Sequence, residues 1–214
     1  MFKKKEKQLM QFIQDFKINI TEDDMFNLLK IKRRWPATHP TEKDQATVEV
    51  ISMYGQKHNY INDTSGYLDF NTMKSFYDKG YTILINDVLD LTEELRELEK
   101  ELIARTGIGN IKGNFYFGNG KPGIHPSFNL HSHGYNVIQK QIYGTNYWIV
   151  NDQRYEIHEQ EIIFIPAQSM HEVYKSDGKR LVKPFEEFDK EGVKSFQEEL
   201  NKLKKQKKRM EEGS

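Results

Sequence analysis

Three histidines suggest the clearest chemistry in this sequence. His131 and His133 stand one residue apart in "HSHGYNVIQKQIYG", and His171 follows much later in "EIIFIPAQSMHEV". Alternate side chains of a β-strand point to the same side, so His131 and His133 can reach one ion. A strand that folds back and begins at His171 would bring a third imidazole to it. Three protein ligands leave positions of an octahedral metal open, which is the arrangement of non-haem iron sites.

A histidine pair on a strand can also be an ordinary surface feature, and the distant His171 is what favours a metal site. The other histidines lack such a pattern. His39 and His58 fall in predicted connections, and His125 precedes a proline in a loop. His158 lies in a predicted polar turn. The sequence has no cysteine, so a bound metal would need imidazole and oxygen ligands.

The histidines must be positioned by β-structure, because residues 111 to 174 have the pattern of short antiparallel strands. The runs "NIKGNFYFG", "HSHGYNVIQKQIYG", "NYWIVN", "QRYEIHE" and "EIIFIP" are separated by glycine, asparagine, aspartate or proline. Such runs predict a small barrel or jelly roll. Upstream, "ATVEVISMYG" and "YTILIND" are further strand candidates.

Helices are predicted around this β-rich part. Residues 1 to 34 have helical patterns, with Thr21 as an N-cap before "EDDMFNLLK". The segment "LDFNTMKSFYDKG" predicts a second helical region that ends at Gly80, and "LTEELRELEKELIARTG" a third from the cap Thr92 to Gly107. The tail has helical spacing again, followed by a basic run that we interpret as a solvated helix end.

We therefore predict an α+β, mainly β fold with flanking N- and C-terminal helices. Residues 1–47 are predicted to form a helical segment and linker, 48–185 the barrel domain, and 186–214 a C-terminal helix and basic tail. The amphipathic segments at 1–32 and 190–205 could pair two chains into a homodimer, or pack onto their own barrel.

The charge balance restricts the partners. Lysine and arginine total 32, and aspartate and glutamate also total 32, so no net field favours nucleic acid or an anionic membrane. No apolar run is long enough to span a bilayer, and "MFKKKEKQLMQF" lacks the apolar stretch of a signal peptide. We expect a cytoplasmic protein without membrane or nucleic-acid partners.

The motifs resemble the cupin superfamily, and within it the cupin-like, JmjC-type 2-oxoglutarate- and Fe(II)-dependent oxygenases, including ribosomal oxygenases. In "HSHGYNVIQKQIYGTNYW" the positions of Gln141, Gly144 and Trp148 match that group, and "IFIPAQSMHEV" matches its distal motif. The likeness runs from about residue 68 to 174. It implies a double-stranded β-helix barrel, Fe(II) held by the three histidines, and hydroxylation of a protein or peptide side chain.

Two positions depart from the group that the sequence resembles. His133 replaces its usual carboxylate ligand, which would give a neutral three-histidine set. Asn146 stands where a lysine or arginine usually pairs with the distal carboxylate of 2-oxoglutarate. Loss of that ion pair should cost about 1.5–3 kcal/mol of binding free energy. The binding of this cosubstrate therefore depends on a replacement for the missing cation.

Polar residues nearby could supply the replacement. Lys112, Asn114 and Tyr116 alternate in "IKGNFYF", and an inward face would place a cation and two hydrogen-bonding groups in the barrel. Lys140 is a second candidate cation. If Lys140 points outward instead, the glutamines on either side of it, including Gln141, point inward. A buried glutamine amide needs a hydrogen-bond partner, which a ligand can provide.

Three functions fit these observations. The leading hypothesis is an Fe(II) oxygenase that uses 2-oxoglutarate, or another chelating acid, to hydroxylate a protein or peptide. The first alternative is a three-histidine cupin dioxygenase that oxidises the small substrate it chelates. The second alternative is a non-catalytic cupin-fold protein that serves in binding or assembly.

Overall fold

The computed structural model describes residues 2–31, 48–51, 57–58, 61, 67–86, 88, 92–107, 113–121 and 128–188. These residues contain helices α1 (Phe2–Asp15), α2 (Glu22–Lys30), α3 (Phe70–Asp78) and α4 (Glu93–Thr106). Their strands are β1 (Val48–Ile51), β2 (Lys57–His58), β3 (Thr82–Ile85), β4 (Phe115–Gly118), β5 (Asn136–Val150), β6 (Gln153–Ile157), β7 (Ile162–Ile165) and β8 (His171–Phe188). The predicted C-terminal helix at 190–205 lies outside the described residues.

The strands form one antiparallel sheet in the order β2-β1-β3-β4-β8-β5-β6, with β7 also paired to β5. The two long strands, β5 and β8, pair along most of their length. The first part of β5 also pairs with β7, and its last part pairs with β6. This mainly antiparallel architecture, with helices packed beside the sheet, confirms the predicted α+β, mainly β fold.

The predicted helix caps are present. The hydroxyl of Thr21 accepts a hydrogen bond from the backbone N–H of Asp24, whose carboxylate in turn accepts from the N–H of Thr21. Thr92 caps α4 in the same way through the N–H of Leu95, and Gly107 ends that helix at a φ of 74°. Each cap satisfies backbone groups that the helix itself leaves without partners. None of the described helices is long and apolar enough to cross a membrane.

The long strands differ from the prediction. Two runs that we predicted as separate strands, "NVIQKQIYG" and "NYWIVN", are one continuous strand, β5. Its pairing register with β8 shifts on both sides of Tyr143, and Gly144 has a φ of 79°. Such bulges let a long strand bend around a barrel without ending. β8 continues to residue 188, whereas the strand pattern was predicted to stop at residue 174.

Replacing Gly144 with alanine should destabilise the fold by more than about 3 kcal/mol. A Cβ at this position would lie 2.1 Å from the backbone oxygen of Lys179, besides the strain of its positive φ. Gly178→Ala is a matched control, since Gly178 also has a positive φ but its Cβ would meet no atom within 4 Å. The free energy of unfolding of that variant should fall by only about 1–2 kcal/mol. Urea unfolding measures both, and equal losses would contradict the steric argument.

Two hydrophobic clusters hold the molecule together. The larger lies between the helices and the sheet, and the smaller lies among β5, β6, β7 and β8. The larger cluster includes Leu9 and Ile13 of α1 together with Ile138 and Ile142 of β5. The first helix therefore packs onto its own barrel, which was one of the two arrangements that the sequence allowed for it.

Lys140 joins α1 to the barrel and does not serve the site as a cation. Its side chain is fully buried, and its ammonium donates hydrogen bonds to the backbone oxygens of Ile13, Gln14 and Gln160 at 2.9–3.1 Å. The first two oxygens belong to the last turn of α1, where carbonyls lack helical partners and attract a positive charge. Burial lowers the pKa of Lys140 to about 8. Lys140 thus points away from the pocket, as one of the two alternatives had it, but it is covered by α1 and not exposed, and its candidacy as a cation of the site is wrong.

Lys140→Met should lower the free energy of unfolding by about 2–3 kcal/mol, because methionine keeps the apolar stem but leaves three carbonyls without their donor. Chemical denaturation monitored by circular dichroism measures the loss. Lys100→Met is the control: Lys100 is an exposed residue of α4, and its replacement should change stability by less than about 0.5 kcal/mol. A Lys140→Met variant as stable as that control would show that the buried ammonium does not anchor the helix.

Candidate metal centre

The fold brings the three predicted metal ligands together. Each of His131, His133 and His171 offers one nitrogen, and these atoms all lie within 4.8 Å of one another. The ring centroids are 4.4 Å apart for His131 and His171, 4.8 Å for His131 and His133, and 5.1 Å for His133 and His171. Two nitrogens on one ion, each with a bond of about 2.1 Å, cannot be more than about 4.2 Å apart. A modest closing of the rings would therefore suffice to bind an ion.

Backbone pairing sets the position of two of these histidines. His131 and His171 form an isolated antiparallel bridge, in which the N–H of each donates to the oxygen of the other at 3.1 and 2.8 Å. His171 is the first residue of β8, as the sequence predicted. The 131–133 pair, however, lies just before β5, which begins at Asn136, and not within a regular strand. The bridge holds this segment beside β8 nonetheless.

Carbonyl groups fix which ring nitrogen faces the centre of the cluster. The Nδ1 of His131 lies 2.7 Å from the oxygen of Asn129, and the Nδ1 of His171 lies 2.8 Å from the oxygen of Ser169. A carbonyl oxygen can only accept, so both Nδ1 atoms must carry the hydrogen. In the neutral ring this leaves the lone pair on Nε2. A backbone partner on the far nitrogen is the usual support of a metal-binding histidine.

The electrostatics of the cluster also suit a metal. Burial lowers the pKa of His171 to about 4, and the neighbouring His131 and His133 add to this, although the hydrogen bond to Ser169 opposes it. Burial, followed by the proximity of His131, lowers the pKa of His133. Both rings are thus neutral at pH 7, as a ligand must be. Since the cluster found among the described residues contains only imidazoles, its neutral ligand set fits Fe(II), Zn(II) or a similar divalent ion.

The lowered pKa of His171 predicts acid sensitivity in metal-free protein. In the unfolded chain the ring of His171 becomes protonated below pH 6.5, whereas in the folded chain it stays neutral until about pH 4. The unfolded state then binds more protons, so stability should fall by about 3 kcal/mol as the pH drops through this window. Urea unfolding at pH 7, 5.5 and 4.5, compared with His171→Gln, tests this. Parallel pH profiles for the two proteins would contradict it.

The histidines lie in a pocket of about 440 Å³, a volume that includes its open mouth. Polar and apolar side chains share the wall. Its other lining residues are Tyr116, Phe128, Gln139, Asn146, Trp148, Glu172, Val173, Arg180 and Val182. Three imidazoles on one side and polar groups around them offer partners to a small polar molecule.

Arg180 is the functional candidate that the sequence analysis missed. It lies on β8 and is only 2% exposed, and its guanidinium donates a hydrogen bond to the hydroxyl of Thr82. Gly118 on the neighbouring strand makes room for it, since a Cβ there would come within 3.2 Å of the guanidinium. Burial lowers the pKa of Arg180 to about 10, so it remains charged at pH 7. A buried guanidinium is suited to an anionic ligand.

The residues predicted to bind a cofactor have different positions. Tyr116 and Asn146 line the pocket, while Asn114 and Gln141 are not among its lining residues. The amide of Gln141 donates to the oxygen of Tyr143 at 2.7 Å and accepts from Asn146 at 2.9 Å. Lys112 lies outside the described residues. Arg180 lines the same pocket as Asn146.

The remaining histidines do not join the cluster where they are described. His158 is in an exposed turn, with its Nδ1 3.4 Å from the hydroxyl of Thr145. His58 lies in the two-residue strand β2, so its prediction as part of a connection is wrong. His39 and His125 lie outside the described residues.

Comparisons with known proteins found a family model and solved structures to which the chain is similar. Residues 122–208 match the family model of the AraC-like ligand binding domain, which spans less than half of the chain. Among solved structures, a cupin 2 conserved barrel domain protein from Rhodopseudomonas palustris aligns with a TM-score of 0.36 and 9% identity, covering 52% of this chain and 63% of that one. No curated protein matches the sequence significantly.

Two further solved structures align with similar TM-scores. A cupin superfamily protein from Desulfitobacterium hafniense gives a TM-score of 0.33 and 11% identity over 38% of this chain and 71% of its own. A cupin 2 conserved barrel domain protein from Salinispora arenicola gives a TM-score of 0.32 and 16% identity, and the alignment covers 39% of this chain and 68% of that one. Alignments this distant say nothing about activity or substrate.

Proposed function

We propose that the chain binds a divalent metal through His131, His133 and His171, binds a small carboxylic acid beside it, and acts with Fe(II) as an oxygenase. One observation carries the proposal: the three-histidine cluster and Arg180, a residue with a buried guanidinium, line the same pocket. The histidines provide nitrogen ligands of fixed tautomer, and Arg180 provides the charge that an acid requires.

The side chains have separate tasks in this proposal. The three imidazoles hold the metal, and their neutrality leaves its positive charge undiminished for an anionic ligand. Bound Fe(II) would supply the reactivity toward dioxygen that no side chain of the chain offers. Arg180 binds and orients the carboxylate, and Phe128 and Trp148 contribute apolar surface to the pocket wall. The burial of Arg180 strengthens the attraction between the guanidinium and the carboxylate.

The acid that we propose is 2-oxoglutarate, with a protein or peptide side chain as the hydroxylated substrate. The motifs that resemble cupin-like oxygenases support this choice, and Arg180 supplies the cation that Asn146 does not. Both the cosubstrate and the substrate rest on resemblance, and the site residues set only a requirement for a small anion.

The test is an anaerobic titration of metal-free protein with Fe(II), with and without 2-oxoglutarate, monitored by visible absorption. We expect the charge-transfer band of a chelated oxoacid in wild type and in His158→Ala, and none in His171→Ala. Admission of air should then convert 2-oxoglutarate to succinate. Stoichiometric iron without a band would exclude 2-oxoglutarate and leave a three-histidine dioxygenase of another chelating substrate. Failure to bind any metal would overturn the proposal.

The match to the AraC-like ligand binding domain favours a second candidate, a non-catalytic protein that binds a small ligand in the same pocket. In this alternative the metal and Arg180 serve recognition only. The same titration separates the two functions. Binding of the acid to metal-loaded protein without consumption of dioxygen or acid, with or without candidate peptides, would support the binding protein.

A further inference from the structure

Gln139 differs from the other buried amides near the site. It lines the pocket and is 9% exposed. Within the part of the chain that the structure describes, its side chain has no hydrogen-bond partner, whereas Gln141 bonds Tyr143 and Asn146. Asn146 also accepts from the hydroxyl of Ser176 at 2.5 Å. Gln139 is therefore an amide of the pocket wall that no described side chain or backbone group engages, and it is open to a ligand.

The strand holds Gln139 in this orientation. Its neighbour Ile138 packs in the cluster beneath the helices, and Lys140 on the other side binds the end of α1. Because side chains alternate along a strand, Gln139 faces the pocket. It is paired with Ile163 of β7 and Pro184 of β8, so strands flank it on both sides. The amide thus sits on a rigid element and cannot easily turn to another partner.

The amide of Gln139 opens onto the pocket and offers both a donor and an acceptor to whatever occupies it. A hydroxyl group of a ligand can donate and accept, so it can use either group of the amide. A carbonyl oxygen only accepts, so it would use the N–H of the amide. A methionine or leucine at this position would offer neither.

We propose that Gln139 is a specificity residue of this pocket, and that its amide hydrogen-bonds a neutral hydroxyl or carbonyl oxygen of the bound acid. This inference rests on the proposed function, in which Arg180 takes the carboxylate of the same ligand. The ligand class is then a small hydroxy or oxo acid, and simple carboxylates bind less tightly.

Malate and succinate provide the test, because they differ by a single hydroxyl group. Calorimetry of Zn(II)-loaded protein, which is redox-inert, should show wild type preferring malate by about tenfold. Gln139→Met should lose most of that preference while its succinate and Zn(II) affinities change by less than about threefold. Gln141→Met is the matched control and should keep the preference.

Stability gives an independent readout. In metal-free protein, Gln139→Met should melt at or above the wild-type temperature, because no hydrogen bond is lost. Gln141→Met should melt lower, because it removes the hydrogen bonds that Gln141 makes to the Nδ2 of Asn146 and to the carbonyl of Tyr143. A clear loss of stability in Gln139→Met would show that the amide is satisfied within the protein and would overturn the proposal.

The outcomes also separate this proposal from the one on which it rests. If wild type shows no preference for malate, the hydroxyl group is not recognised. If the preference survives in Gln139→Met, the metal and not Gln139 recognises the hydroxyl group. Only the role of Gln139 is then overturned. If metal-loaded wild type binds neither acid, and no 2-oxoglutarate either, the acid site itself is wrong and both proposals fail.

Discussion

Replacing His171 with alanine is expected to lower the affinity of the chain for Zn(II) or Fe(II) by at least about a hundredfold. His171 is the most buried ligand of the cluster, at 2% exposure, and its tautomer is fixed by the carbonyl of Ser169. Without it, His131 and His133 remain as a partly exposed pair that binds an ion weakly. Calorimetry of metal-free protein, with metal analysis of the complex, measures the change.

His158→Ala is the control for this experiment, since it removes an imidazole from an exposed turn outside the cluster. It should bind metal like wild type. Equal affinities in wild type and His171→Ala, with both proteins folded by circular dichroism, would mean that any metal binds elsewhere in the chain.

Arg180→Met should weaken the binding of 2-oxoglutarate to metal-loaded protein by about tenfold to a hundredfold. Methionine retains much of the apolar stem but removes the guanidinium, which leaves a bound carboxylate without its charged partner. The affinity for Zn(II) should change by less than about threefold, because the histidines are untouched. Calorimetric titration of Zn(II)-loaded protein with 2-oxoglutarate measures the first quantity, and a metal titration the second.

Lys179→Met is the matched control, because Lys179 is the adjacent cation on β8 but lies exposed and pairs with Glu22 on α2. Its loss should leave the affinity for the acid nearly unchanged. If both variants lose affinity equally, the effect comes from the general field of the protein. If neither does, Arg180 has no part in binding the acid.

The metal candidates could be predicted from the sequence because their signal is local. The spacing of His131 and His133 and the strand that ends before His171 are visible in short runs of residues. The expectation that the pair lies within a strand was wrong, since β5 begins only at Asn136. Antiparallel pairing of the two segments then needs only one bridge, which the structure shows between His131 and His171.

Arg180 could not be found in this way. It follows "KSDGK", a charged run that looks like a solvent-exposed loop, yet β8 passes through it as a continuous strand because a long partner, β5, pairs along it. A buried arginine has no sequence pattern of its own. Its burial depends on Gly118 and Thr82, which belong to strands distant in sequence.

The roles of the two glutamines beside Lys140 could likewise not be predicted from the sequence. Alternation placed Gln139 and Gln141 on the same side of the strand, but the irregular register beside Tyr143 gives Gln141 a backbone partner. Lys140, between them, is buried by a helix from the other end of the chain. Such long-range contacts decide which polar residues serve the fold and which remain for a ligand.

The most direct test of the central claim is anomalous diffraction from crystals of the full chain grown with Zn(II) or Co(II). We predict one strong anomalous peak in the barrel pocket, bonded at about 2.0–2.2 Å by one nitrogen of each of His131, His133 and His171. A pocket without a peak at saturating metal, or a peak bound by other residues, would contradict the three-histidine centre.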